Sequence, residues 1–238
     1  MPVQICLLGD SHAAALRQGW ARIQSGFADI EITFFAAMRA EWPSLGVADR
    51  KLVPQSQALR EQFERSSKGS HEIAGTYEAY IVCGLGLAIS FPLRLVTHNA
   101  DNGWDEYREA VARHIRDTPC AKILANLRQV TDAPILVLAS PHQPLAFCRS
   151  SPLLTDSTAW RLQKNFNAAC ETLAREHAAR FISQPEETLS QNRVTTRMEF
   201  SNHTSNSERE DRRHCNAGYG AIVMRHVLQS LGVAASAD

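Results

Sequence analysis

Apolar residues recur along this chain in two rhythms, and the way these alternate predicts its architecture. Short, nearly unbroken apolar runs of strand length stand at 3–9 (VQICLLG), 29–35 (DIEITFF), 77–86 (YEAYIVCGLG), 133–141 (APILVLASP) and 179–185 (ARFISQP). Each carries the β-branched or aromatic residues that suit a pleated, buried surface. Between and after them run longer segments rich in helix formers, at 12–27, 56–67, 104–117, 121–132, 157–178 and 216–232, where apolar positions follow helical spacing. Strands covered by helices on both faces read as continuous apolar runs, so this alternation predicts an α/β fold with a parallel sheet.

Two stretches break the rhythm. Residues 40–55 (AEWPSLGVADRKLVPQ) are irregular, with a small hairpin expected around Asp49 and Arg50. Residues 201–213 (SNHTSNSEREDRR) hold no large apolar side chain and therefore predict a surface loop outside the core. No linker, internal repeat or low-complexity tract divides the 238 residues, so the expectation is a single domain over 1–238.

Composition narrows the partners. Twenty-five Lys and Arg balance twenty-five Asp and Glu, so the one-sided field expected for a nucleic-acid or membrane-surface protein is missing and a small molecule is the expected partner. No apolar stretch reaches the roughly 18–20 residues of a spanning helix, and the first apolar run breaks at Gly9-Asp10-Ser11 before it attains signal-peptide form. The six cysteines include no C-x-x-C pair, and the expectation drawn from them is a reduced, cytoplasmic chain. The oligomeric state is not legible.

Candidate chemistry lies at the two ends. Ser11 follows the first strand and opens the first helix, at the carboxyl edge where ligands of open α/β sheets gather. A serine hydroxyl is a weak nucleophile unless a base takes its proton, and the base in turn needs a group that fixes its tautomer. Just ahead of the last helix, EDRRHCNAGYG places Asp211 three residues before His214, a spacing at which the carboxylate reaches one ring nitrogen and leaves the other facing outward. The backbone N–H of Ser11, in a first helical turn, is also a candidate donor to a developing oxyanion.

GDSH at 9–12 and DRRHCNAGYG at 211–220 resemble the first and last sequence blocks of the SGNH (GDSL-type) hydrolases, and together they bracket the chain. The resemblance implies a flavodoxin-like three-layer α/β/α sandwich around a five-stranded parallel sheet. It implies metal-independent, cofactor-free ester hydrolysis through an acyl-enzyme on a small-molecule or glycan ester, with Ser11 as nucleophile, His214 as base then acid, and Asp211 as its orienter. In that family a glycine amide from the second block and the asparagine of a Gly-x-Asn third block complete the oxyanion hole. Here the third strand ends in CGLGL, so Gly84 matches but Gly86 stands at the asparagine position. Asn99 and Asn102 in the following THNADNG are the candidate substitutes, and His142 in SPHQP, after the fourth strand, is the loop histidine best placed to line the site. No clean second block follows ITFFAAMRAEW; Ala36, Ala37 and Gly46 are the nearest candidates.

Three other readings stay open on the residues. An α/β-hydrolase elbow, Gly-x-Ser-x-Gly, is missed by one residue at 9–13 and would come after several strands rather than the first. Asp10-Ser11-His12 contains the D-x-H of a metal-dependent phosphoesterase, without that pattern's further blocks. The departures at Gly86 and in the second block suit a catalytically degenerate domain that binds a glycan or acyl compound without turnover. Asp10 itself has a structural reading, holding the turn that follows the first strand.

Overall fold

A computed structural model describes residues 1–98, 104–144, 156–202, 211 and 214–233. Five parallel strands form the central sheet: β1 (Val3–Gly9), β2 (Ile30–Ala36), β6 (Ala79–Cys83), β7 (Ile135–Leu138) and β8 (Arg180–Ile182), in the order β2-β1-β6-β7-β8. Gly9 at the end of β1 is level with Ala36 of β2 and Cys83 of β6. The direction of strand addition therefore reverses beside β1, and the chain leaves β1 into the crevice where such sheets take ligands.

The period of two along each strand sorts its side chains between two helical layers. Cys6, Leu8, Tyr80, Val82, Ile135 and Val137 face one layer. It is built from α2 (Gln57–Ser67), α4 (Trp104–Arg116), α5 (Pro119–Val130) and α6 (Asp156–Glu176). Ile5, Leu7, Ile81, Cys83, Leu136 and Leu138 face the other, formed by α1 (Ala13–Ile23) and α7 (Ala217–Ser230). The result is the expected three-layer α/β/α sandwich of flavodoxin-like form. A fully buried Leu or Phe contributes about 1.5–3 kcal/mol, and Leu59 and Phe63 are the two buried anchors of α2.

Beside the main sheet, β3 (Leu45–Ala48), β4 (Lys51–Pro54) and β5 (Ile73–Ala74) form a small antiparallel sheet. The hairpin between β3 and β4 turns at Asp49 and Arg50, whose φ angles of 47° and 58° suit the right-handed strand twist. Helix α3 (Ser90–His98) is not foreseen in the sequence, because its apolar run lacks a polar alternation and carries Pro92 in the first turn, a position proline tolerates.

Helices α1 and α7 pack unusually close. A Cβ on Gly19 would stand 2.0 Å from the Gly220 carbonyl carbon, and one on Gly220 would stand 1.8 Å from the Ala15 carbonyl oxygen. Backbone-to-backbone contact is possible only because neither position has a side chain. Both helices begin at the carboxyl edge of the sheet, so their close approach brings the entry to α1 and the entry to α7 together.

Candidate active site

The turn after β1 is held by a buried carboxylate. Asp10 Oδ1 accepts from the His12 amide at 3.2 Å, and Oδ2 accepts from the Leu85 amide at 3.2 Å and from Arg39 Nη2 at 3.0 Å and Nε at 3.2 Å. The Asp10 side chain is 3% exposed and that of Arg39 48%. The structural reading of Asp10 thus holds, and a guanidinium occupies the oxygen that a cation-binding D-x-H would offer. These bonds fix the path of residues 10–12 and leave Ser11 at the surface.

On the opposite side, the approach to α7 is stitched to residues 199–202. The Asn202 amide donates to the His214 carbonyl at 2.9 Å, Ser201 bridges Cys215, and the Asn216 amide donates to the Phe200 carbonyl at 2.9 Å. Asn216 caps α7, its side chain accepting from the amides of Gly218 and Tyr219. The polar segment 201–213 is thus not wholly a surface loop: Ser201 is buried. Residues 203–210, 212 and 213 lie outside the described residues.

These two frames meet. Ser11 Oγ is 2.8 Å from His214 Nε2, and His214 Nδ1 is 2.9 and 3.0 Å from the two oxygens of Asp211. Asp211 also accepts from the His214 amide at 3.1 Å and from Asn202 Nδ2 at 3.2 Å. A carboxylate only accepts, so Nδ1 carries the proton and donates to Asp211, which leaves the Nε2 lone pair for the Ser11 hydroxyl. Such a line can take a proton from the serine and return it to a leaving group.

The amide of Ser11 donates to no group among the described residues. The other expected contributors are placed differently. Gly84 uses its amide on the Leu138 carbonyl at 2.9 Å, continuing the sheet, so it is not a free donor. Gly86, at φ 97°, has no side chain to offer, and a Cβ there would stand 3.1 Å from Thr118 at the entry to helix α5. His142 is buried rather than site-lining: its amide donates to Gln184 Oε1 at 2.9 Å and its carbonyl accepts from Thr196 Oγ1 at 2.7 Å. Burial holds its imidazole down to about 4, opposed by a bond to the Arg193 backbone. Asn99 and Asn102 lie outside the described residues. Of the second-block candidates, Ala36 and Ala37 spend their amides on Ser66 Oγ and the Gly9 carbonyl, and Gly46 sits in β3 of the small sheet.

Sequence reasoning missed three residues. Asn202 supports Asp211, Arg39 holds Asp10, and His12 packs its ring against that of His214, with centroids 5.2 Å apart. The Nδ1 atom of His12 is buried without a partner among the described residues. Burial keeps this imidazole below the ordinary histidine range; the Asp10 carboxylate opposes that shift, and the charges of His214 and Arg39 reinforce it. Behind it lies a cavity of about 20 Å³ bordered by Leu16, Cys83, Gln184 and Tyr219, space for about one water molecule.

Neither a protein-family profile nor a curated protein sequence matches the chain. Three solved structures do. An extracellular lipase from Streptomyces rimosus superposes with a TM-score of 0.52 at 13% identity, over 96% of this chain and 99% of that one. A lipopolysaccharide acetyltransferase periplasmic domain from Salmonella ser. Paratyphi A gives 0.51 at 11%, over 97% and 84%. The lipase Lip_vut3 from a goat rumen metagenome gives 0.48 at 13%, over 97% of each chain. The likeness shows a shared fold, the three-layer α/β/α sandwich. The comparisons also correct the cytoplasmic expectation, since this fold is shared with an extracellular protein and a periplasmic domain. All five described cysteines are buried and unpaired, and a buried thiol is a small apolar group that carries no mark of its compartment. No helix among the described residues is long and apolar enough to cross a membrane.

Proposed function

We propose that this chain is a serine esterase of the SGNH type, one domain over residues 1–238, which hydrolyses the carboxylic ester of a small molecule or a carbohydrate through an acyl-enzyme. The observation that carries the reading is the hydrogen-bonded line from Ser11 through His214 to Asp211. Ser11 Oγ attacks the ester carbonyl as His214 Nε2 takes its proton, and Asp211 stabilises the imidazolium. The tetrahedral intermediate collapses when His214 returns that proton to the departing alcohol. Water, activated by the same imidazole, then attacks the acyl carbon and releases the acid and Ser11. The unpartnered Ser11 amide at the edge of the sheet is one donor to the oxyanion, a role worth roughly 3 kcal/mol per donor in such sites.

Hydrolysis of short p-nitrophenyl esters by the wild type and by Ser11→Ala and His214→Ala tests the reading. Both variants are expected to lose turnover by a factor of about 10³ or more while keeping the wild-type fold. Unchanged turnover in either variant refutes the assignment. Absence of fluorophosphonate labelling at Ser11 of the wild type favours the alternative of a binding domain without turnover.

A further inference from the structure

An acyl-transfer site needs more than one donor at the point where negative charge develops, and the carboxyl edge of this sheet has few to give. The amides of His12 and Leu85 are spent on Asp10, that of Gly84 on Leu138, and those of Ala36, Ala37 and Met38 on Ser66, Gly9 and Gln62. Gly86 brings no side chain, and its α-carbon faces Thr118 of the α5 entry. Among the side chains at this edge, one cationic donor stands beside the turn that carries Ser11. Arg39 extends from the chain just after β2 to Asp10, the residue directly before Ser11. It places Nε and Nη2 on a single carboxylate oxygen, the oxygen that also receives the Leu85 amide. Nη1 has no partner among the described residues, and about half of the side chain remains open to solvent.

Resting on the esterase reading, we propose that Arg39 is a catalytic residue, its free guanidinium edge donating to the oxyanion together with the Ser11 amide in place of the side-chain amide that Gly86 lacks. Asp10 fixes the guanidinium from below and neutralises its charge in the resting enzyme, so that the donor is preorganised and need not reorient as the carbonyl oxygen becomes anionic. The charge of Arg39 reaches the same small region as that of His214, since both are felt at the His12 ring. A planar fork suits this task because one edge, Nε with Nη2, serves Asp10 while Nη1 has no partner among the described residues, which a lysine ammonium at one point cannot reproduce.

The test compares the wild type with Arg39→Ala, Arg39→Lys and Ser11→Ala on two substrates, neutral 4-nitrophenyl butyrate and anionic 4-nitrophenyl hemisuccinate. Arg39→Ala is expected to lower kcat about a hundredfold or more on both, with KM within a few-fold, and added guanidinium is expected to restore part of that loss but none of the loss in Ser11→Ala. A kcat within threefold of the wild type overturns the proposal. So does a loss confined to KM for the hemisuccinate, which would make Arg39 a binder of substrate anions. Removing the cation beside a buried carboxylate can unfold the protein, so Arg39→Lys and the double variant Asp10→Asn/Arg39→Ala serve alongside it. Folded protein from either with wild-type kcat overturns the proposal, and at least a tenfold loss in both supports it. Activity lost in Ser11→Ala but untouched at Arg39 sinks this inference alone, whereas a wild type that neither turns over nor labels sinks the esterase reading with it.

Discussion

At the scale of single residues, the structure separates histidines that share a composition but not an environment. His214 lies half-open between a carboxylate and a hydroxyl. His142 is buried, and its charged form is disfavoured. In the unfolded chain an imidazole binds its proton near its ordinary value, whereas His142 in the fold resists protonation down to about 4. Between those two values the unfolded state holds more protons, so stability is full above the unfolded value and declines as the pH falls toward the folded one. Replacing His142 with Gln should flatten the dependence of the unfolding free energy on pH between roughly 6.5 and 4, a window read by urea titration at several pH values. An unchanged slope in that variant would refute the assignment of the neutral buried state.

The sequence shows Ser11, Asp211 and His214 because each sits beside an element boundary that periodicity can locate. It does not show Arg39, because the distance from Arg39 to Asp10 depends on how β2 lies against β1. The same holds for Asn202, whose carboxylate partner is nine residues away through a polar segment with no periodicity.

At the scale of elements, two glycines let helices α1 and α7 approach backbone to backbone. Packing of α1 on α7 fixes where the polypeptide enters each helix, and those entries carry the hydroxyl and the imidazole. A methyl group at Gly220 would collide with the Ala15 carbonyl, a backbone atom that cannot step aside. Gly220→Ala is therefore expected to cost about 1–3 kcal/mol or more in stability. It should also lower kcat by up to about 10²-fold, because a displacement of about an ångström at a reacting pair has that effect. Chemical denaturation and ester turnover on the same preparation check both parts, and wild-type values for the two would show that the helices have slack. Periodicity locates α1 and α7, but both could pack at an ordinary distance for all their composition says. Gly218, by contrast, serves the α7 cap: its amide donates to Asn216 Oδ1.

At the scale of the whole molecule, the core divides into two layers across one sheet, and the described thiols are distributed between them: Cys6, Cys120 and Cys170 on one face, Cys83 and Cys215 on the other. Burial pushes the pKa of all five upward, which keeps them protonated and poorly reactive. The native protein should therefore release at most one equivalent of thiol to an aromatic disulfide reagent, from Cys148, which lies outside the described residues. The remaining five should titrate only on unfolding, and the midpoint of thermal unfolding should not move on adding a reductant. Fast reaction of several thiols in the native state would contradict the packing described here.

The sequence by itself determined the layered α/β architecture, because strands buried on both faces must be apolar at successive positions and helices on a sheet must be apolar at helical spacing. It also determined which hydroxyl, imidazole and carboxylate were candidates, since strand ends and helix starts mark where side chains emerge. Tertiary structure alone decided which donors remain at the mouth of the site. Whether an amide is free or spent depends on its partner across the sheet: the Gly84 amide is spent on Leu138, His142 is buried away from the crevice, and Arg39, unmarked in the sequence, reaches Asp10. Periodicity records what each residue buries, and a hydrogen bond between distant segments leaves no trace in it.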